Sequence, residues 1–299
     1  MEIMRTLKDI KNTIHETGRM HSERPQGGMT DKEYNARFRW LYPHLEEAGR
    51  RLRLQQHNRS FQVSMKGDGS KVTDTDRQMN EYWMELLGKA FPGEVIVSEE
   101  DEASHTYKPN SPAVWYVDPI DGTSKFVEGS PNYFVLISLC IDGKPSFGVL
   151  YQPERNCVLF GNSHIRARLY TSSREFREIH QTISWRHQMP VVVKGASPAL
   201  RDRLESIMHL PVRRTSNAAH NIIGPLNGPS SGFVSFRRTA YWDIAAPAAI
   251  MESAGFQTRI LLHGEPTQYN LGSTFCSRFY CLPPDTPEDV IEYLVSVTG

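Results

Sequence analysis

Apolar positions recur at helical spacing in two stretches of the first third of the chain. From Asp31 to Gln56 they include Leu41, Leu45, Ala48 and Leu52, one face of a helix, and Thr30 stands in front of it as an N-cap. Met79, Trp83, Leu86, Leu87 and Ala90 mark a second helix, with Asp76 near its N-terminus. Between the two lies a Gly/Ser/Asp-rich loop at 66–71, a natural mobile element. From Ala113 the pattern changes to continuous apolar runs. Tyr133–Ile141 and Ser146–Tyr151 flank Asp-Gly-Lys-Pro as a hairpin, and Cys157–Phe160 and Arg166–Tyr170 continue a meander. After a polar stretch at 172–188, Pro190-Val-Val-Val-Lys194 opens a second half that alternates strand and helix. Helices are expected there near 198–208, 217–226, 243–254 and 287–296. Residues 1–28 are polar and end in Pro25-Gln-Gly-Gly28; they read as an extension, with a short helix expected at Met4–Ile14. The whole predicts mixed α and β elements in layers, an α/β (α+β) protein.

Composition narrows this reading. A chain of 299 residues with 39% hydrophobic content can bury a sizeable core, in one large domain or two packed halves. The 34 basic and 34 acidic residues cancel, which gives no electrostatic reason to bind a nucleic-acid polymer. The chain shows neither a long apolar run nor an apolar N-terminal signal region, so no membrane association and a cytoplasmic location are expected. Cys140, Cys157, Cys276 and Cys281 lie in or beside apolar runs without zinc spacing, and are expected to be reduced, buried thiols. His105 and His220 are expected at the surface or in packing.

Candidate chemistry concentrates at strand ends. Trp115-Tyr-Val-Asp-Pro-Ile-Asp-Gly-Thr123 is an apolar strand that stops in two carboxylates, Asp118 and Asp121, followed by Gly-Thr. Such an end can aim both carboxylates and the Ile120 carbonyl into one small volume, the oxygen-rich environment that hard divalent cations such as Mg²⁺ require. Gly122 permits close backbone approach, and the following amides can cradle a phosphate if a helix starts there. Standing alone, Asp-Pro-x-Asp-Gly would be better read as a surface turn. Two further clusters strengthen the metal reading: Val95-Ile-Val-Ser-Glu-Glu-Asp101 ends in Glu99 and Glu100, and Tyr241-Trp-Asp-Ile-Ala-Ala246 carries Asp243.

In this order, Val72-Thr-Asp-Thr-Asp76, Ser98-Glu-Glu100, Asp118–Phe126 and Trp242-Asp-Ile-Ala-Ala246 resemble the motifs of the lithium-sensitive, Mg²⁺-dependent phosphomonoesterases. That family includes the inositol monophosphatases and the 3'(2'),5'-bisphosphate nucleotidases. The resemblance runs from about Asp31 to the C-terminus. It implies a layered α/β/α/β/α sugar-phosphatase fold, with residues 29–185 carrying most metal-binding carboxylates and residues 186–299 completing the site. It further implies two or three Mg²⁺ ions. Glu99, Asp118 and the Ile120 carbonyl would hold the first; Asp118, Asp121 and Asp243 the second; Asp76 and Glu99 would help position a third and its water. Thr123, paired with Asp76, matches the water-activating threonine, and the Gly122 and Thr123 amides would steady the phosphate. Glu100 is either a supporting neighbour or a solvated carboxylate.

The implied partner is a small-molecule phosphate ester, acted on by a monomer or homodimer. Lys66-x-Asp-Gly-Ser before Val-Thr and the Ser-Glu-Glu form resemble the bisphosphate nucleotidases more, whereas Asn217-Ala-Ala-His-Asn221 looks more like the inositol phosphatases. Arg237 and Arg238 stand where inositol phosphatases carry an acidic residue, and they favour a substrate with a second anionic group. The expected activity is therefore that of a 3'(2'),5'-bisphosphate nucleotidase. An inositol-1-phosphate, sugar or biosynthetic-intermediate phosphatase is the alternative, and a non-catalytic ligand-binding module the reading of another class.

Overall fold

Thr30 opens the first helix as expected: its side chain caps the backbone of Glu33, whose carboxylate returns a bond to the Thr30 backbone. The computed structural model describes residues 29–171, 176–180, 184–215, 218–228, 230–263 and 265–297. The N-terminal extension, its expected helix at Met4–Ile14, and Asn217 lie outside these residues. Helix α1 (Asp31–Asn58) is followed by a hairpin of β1 (Val63–Met65) and β2 (Lys71–Thr73), then α2 (Asp74–Ala90). The 66–71 loop is the tip of that hairpin.

A seven-stranded sheet comes next in the order β3 (Val95–Ser98), β4 (Ala113–Asp121), β5 (Phe134–Ile141), β6 (Lys144–Gln152), β7 (Cys157–Asn162), β8 (Ile165–Tyr170) and β9 (Phe176–Glu178). Only β3 and β4 run parallel. The β5–β6 turn is two residues long: Asp142 and Gly143 both have positive φ, 48° and 76°, which matches the strand twist. Side-chain alternation sorts the strands between two cores. Trp115, Val117, Val135, Ile137 and Val149 pack under α1 and α2, while Val114, Tyr116, Leu136 and Leu150 face the other way. Burial on both faces explains why these strands read as unbroken apolar runs.

The second sheet orders β11 (Val212–Thr215), β10 (Val191–Lys194), β12 (Gly232–Ser235), β17 (Arg278–Leu282), β14 (Gln257–Leu262) and β15 (Glu265–Pro266). A short pair, β13 (Thr239–Ala240) with β16 (Phe275–Cys276), stands beside it. Helices α4 (Pro198–Met208) and α7 (Glu288–Ser296) cover its outer face through Leu204, Met208, Val290 and Leu294. Helix α6 (Tyr241–Ser253) lies between the two sheets, and its Ile244, Ala245, Ala248 and Ile250 share one core with Leu136, Leu150, Phe233 and Phe279. The layers are therefore α/β/α/β/α, as the resemblance implied. The helix expected at 217–226 is shorter. Helix α5 (Ala219–Ile222) gives way to a 3-10 turn at Gly224–Asn227, because Pro225 lacks the N–H that the next α-helical bond needs. A six-residue helix, α3 (Thr123–Glu128), follows β4.

Helix α6 is buried nearly all round, so only close approach seats it against the first sheet. Gly148 on β6 and Gly161 on β7 permit that approach: a Cβ at Gly148 would run into the backbone carbonyl of Ala246. Gly148→Ala is therefore expected to cost ~1–3 kcal/mol by overpacking. Gly88→Ala on the exposed face of α2, where the nearest atom is 3.9 Å away, should instead stabilise by ~0.5–1 kcal/mol. Urea midpoints of the two variants check this, and a neutral Gly148→Ala would show that α6 is free to shift.

Candidate functional site: an acidic cleft between the two sheets

Residues three apart on a regular strand point to opposite faces. Asp118 and Asp121 escape this because β4 is irregular at its end: Asp118 pairs with Leu136 and Asp121 with Phe134, so one extra residue is accommodated between them. The shift turns both carboxylates, with Ile120, onto a cavity of about 300 Å³. Glu99 and Asp243 line the same cavity. Glu99 follows β3 and its amide bonds the Val117 carbonyl across to β4. Asp243 sits in the first turn of α6. Carboxylate oxygens of Glu99, Asp118 and Asp243 all lie within 4.8 Å of one another, spacing suited to a shared cation. Asp121 reaches the cavity from beside them, and its Oδ2 is buried without a hydrogen-bond partner among the described residues.

Gly122 begins the exit from the strand in the left-handed region, φ 88°, which favours glycine. Thr123 then starts α3, and its hydroxyl donates to Asp76 Oδ1 at 2.9 Å, with the Ile120 carbonyl 3.2 Å away. Asp76 is 1% exposed and occupies the third position of α2, where its Oδ2 accepts from the Thr73 amide at 2.7 Å and hydroxyl at 2.5 Å. A capping box thus fixes the carboxylate that holds Thr123. All the expected site residues except Arg237, Arg238 and Asp76 line the cavity directly, and Asp76 joins through Thr123.

Burial and mutual repulsion act together on this cluster. Burial, then Glu99, pushes Asp121 up to about 7. Burial, then Glu99 and Asp121, pushes Asp243 up to about 8. Asp118 is driven well above the carboxylate range by burial, with Glu99, Asp121 and Asp243 adding to it. Burial also raises Asp76, against the bonds from Thr73 and Thr123.

Two lysines, Lys66 of the Lys-x-Asp-Gly-Ser segment and Lys194, which no sequence motif marked, oppose the negative charge. Lys66, from the β1–β2 turn, places its ammonium 2.7 Å from Glu99 Oε1 and 2.5 Å from Glu100 Oε1. Glu100 is thereby ion-paired rather than solvated. Lys194, at the end of β10, favours the charged forms of Asp121 and Asp243. Its position was readable in principle, since ligands of α/β sheets gather at the carboxyl ends of parallel strands. The arginine pair is split. The Arg237 stem packs over Gly195, next to Lys194, whereas the Arg238 guanidinium lies 3.7 Å over the Phe275 ring and lines a different cavity. His105 stacks on Trp242 and His220 on Phe134, as packing residues. No described helix is long and apolar enough to cross a membrane.

Comparison with known proteins agrees with this geometry. The profile of the inositol monophosphatase family matches residues 40–290. The chain is 27% identical over 227 residues to the 3'(2'),5'-bisphosphate nucleotidase CysQ of Escherichia coli K12, covering 75% of this chain and 89% of the relative. It is also 27% identical over 201 residues to inositol monophosphatase 3 of Solanum lycopersicum, 64% of this chain and 74% of the relative. Among solved structures, the fold is similar to that of Staphylococcal inositol monophosphatase-1, with TM-score 0.70 at 17% identity over 90% of this chain and 98% of that one. The Thermotoga maritima IMPase is likewise similar, with TM-score 0.63 at 23% identity over 86% and 96%. A profile spanning most of the chain, over a fold of the same layers, shows that this chain belongs to the inositol monophosphatase family, whose members are phosphoric monoester hydrolases.

Proposed function

We propose that this chain hydrolyses a small phosphate monoester with Mg²⁺ and an activated water, and that its ester carries a second anionic group, as 3'(2'),5'-bisphosphate nucleotides do. The observation that carries the first part is the convergence of Glu99, Asp118 and Asp243 beside the Thr123–Asp76 bond. The donors suit the ion: they are all oxygen, and the orphaned Asp121 Oδ2 is the kind of buried acceptor a cation would satisfy. Glu99, Asp118 and the Ile120 carbonyl would hold one ion, Asp118, Asp121 and Asp243 another, with Asp76 and Glu99 near a third. Bound there, Mg²⁺ would lower the pKa of water and neutralise charge on phosphoryl oxygens.

The chain's own groups would do the rest. Thr123 directs its hydroxyl hydrogen to Asp76 and so presents a lone pair to a water in the cleft. Asp76, its affinity for a proton raised by burial, is the group on which the water's proton would come to rest through Thr123. The Gly122 and Thr123 amides would receive the phosphate at the start of α3. Lys194, near enough to act on Asp121 and Asp243, and Arg237, whose stem packs over the adjoining Gly195, would take the second anionic group. The span of the match to the E. coli nucleotidase supports the same choice. The equal identity to the Solanum enzyme keeps an inositol-type ester as the second reading.

Turnover of a phosphate-ester panel tests the mechanism. The wild type should act in Mg²⁺ and not in chelator. Thr123→Ala should lose about 10²–10⁴ in kcat, the usual range for a proton-transfer group, at an unchanged half-saturating Mg²⁺. An inactive wild type, or a fully active variant, would overturn the assignment.

Specificity is tested separately. Lys194→Ala with Arg237→Ala should cut kcat/KM for adenosine 3',5'-bisphosphate by about tenfold to a hundredfold, the worth of charge-assisted contacts of ~1.5–3 kcal/mol. A simple monophosphate should be nearly unaffected. Equal losses on both substrates would refute the rim site.

Metal removal has a pH signature. Asp121 and Asp243 have ordinary values of 3.8 and folded values of about 7 and about 8, so in chelator the folded chain binds protons that the unfolded chain has lost. That stabilisation is complete below the unfolded pKa and is lost as pH rises through the folded one. The Tm in EDTA should therefore fall from pH 5 to pH 8.5, and saturating Mg²⁺ should remove most of the slope. Asp121→Asn should raise the metal-free Tm at pH 8. A flat profile in EDTA would show that the carboxylates are not mutually strained.

A further inference from the structure

The acidic cleft is not the only cavity among the described residues. A second one, of about 850 Å³, opens at the same end of the second sheet, between the ends of β12, β14 and α7 and the start of β17. This volume is within the ~300–1,000 Å³ usual for small-molecule sites. Its charge is opposite in sign to that of the cleft: Arg238 and Arg278 line it, and no carboxylate does among the described residues.

Arg278 is the unusual member. It is 9% exposed, and its Nη1 donates to the Leu294 and Val295 carbonyls at 3.0 and 3.2 Å. Those carbonyls end α7, so they offer partial negative charge, but no acidic partner completes the pairing among the described residues. Burial accordingly disfavours its cationic form, with no counter-charge in opposition. A buried guanidinium normally has a paired anion, since an uncompensated one is expensive. The Arg238 guanidinium faces the same space, 3.7 Å over the Phe275 ring. Ser277 and Ser296 add hydroxyls, and Phe236 and Leu262 add apolar walls.

We propose that this cavity is a second small-molecule site, distinct from the catalytic cleft, that takes a phosphate or phosphomonoester: the anionic head on Arg238 and Arg278, the body against Phe236 and Leu262. Two forked guanidinium groups match the geometry of phosphate oxygens. The site adjoins the catalytic one through Phe275, whose ring packs edge-on at 5.3 Å against Trp242, the neighbour of Asp243.

Calorimetric titration of the full chain with inorganic phosphate and with adenosine 5'-monophosphate tests this. In EDTA the catalytic cleft keeps its carboxylates and no cation, and it repels both probes, so binding then reports the second cavity. One equivalent of the monophosphate should bind, and inorganic phosphate should compete for it. Arg238→Gln should weaken binding at least tenfold. Ser296→Trp, at an exposed helix end, should do the same by filling the space, while Arg203→Gln on exposed α4 should change nothing. Absence of binding in EDTA, binding indifferent to both cavity variants, or an equal loss in Arg203→Gln would overturn the proposal. Circular dichroism and Tm of each variant separate loss of the site from loss of fold.

Discussion

The rest of the structure depends on a repulsion. Glu99, Asp118, Asp121 and Asp243 converge on one small cleft, and unit charges ~4 Å apart repel by about 4 kcal/mol at the effective dielectric of a protein surface. Left to itself, such a cluster would splay apart or take up protons, and the raised proton affinities of Asp118, Asp121 and Asp243 are the second response. Splaying is prevented by stiffness. Asp118 and Asp121 end a strand that is flanked by β3 and β5 and are themselves paired with β5, and Asp243 is on a helix clamped between two sheets. Lys66 and Lys194 relieve the strain only partly, so a cation of higher charge has a site already assembled and unsatisfied.

That stiffness comes from features with no chemistry of their own. Helix α6 carries apolar residues on every side, an arrangement stable only where sheets cover both faces. The glycines of β6 and β7 let the first sheet press on it, and Phe233 and Phe279 close the other side. Pro247 has no N–H for the carbonyl one turn earlier, that of Asp243, so the first turn of α6 is the least tied part of an otherwise fixed helix. The carboxylate that must adjust when a cation enters is thus on the helix's loosest turn.

What could be read from the chain follows from these same forces. Strands buried on both faces and helices with one buried face leave strong periodic signals, so β4–β8, α1, α2 and α6 were legible. The carboxylates were legible because each terminates such an element. Strand β1 was not, because all three of its residues are exposed and no apolar alternation marks it. Lys194 belongs to no motif, and Lys66 stood in one that said nothing of its partners: each acts through a position that only the assembled sheets create. Arg237 and Arg238 invited reading as one clamp, yet the chain bends at Arg237, and the two side chains pack on different neighbours, Gly195 and Phe275.

This parting has a consequence for how the second half is organised. The two arginines of one short connection part company: the Arg237 stem packs over Gly195, the chain neighbour of Lys194, and the Arg238 guanidinium lies over Phe275 and lines the basic cavity. The same connection leads through β13 directly into the turn of α6 that bears Asp243, and the Tyr241 amide is tied to the Thr274 carbonyl just before β16. Any displacement of the connection would be felt at both cavities, because Ser235 and Thr239 brace it with hydroxyl bonds to the Arg237 carbonyl at 3.3 and 2.9 Å. Those bonds fix the backbone and leave the two arginine side chains as its adjustable parts. Charge at the edge of an otherwise rigid cleft is therefore set by the least constrained atoms near it, which is where differences in substrate among chains of one fold are most cheaply made.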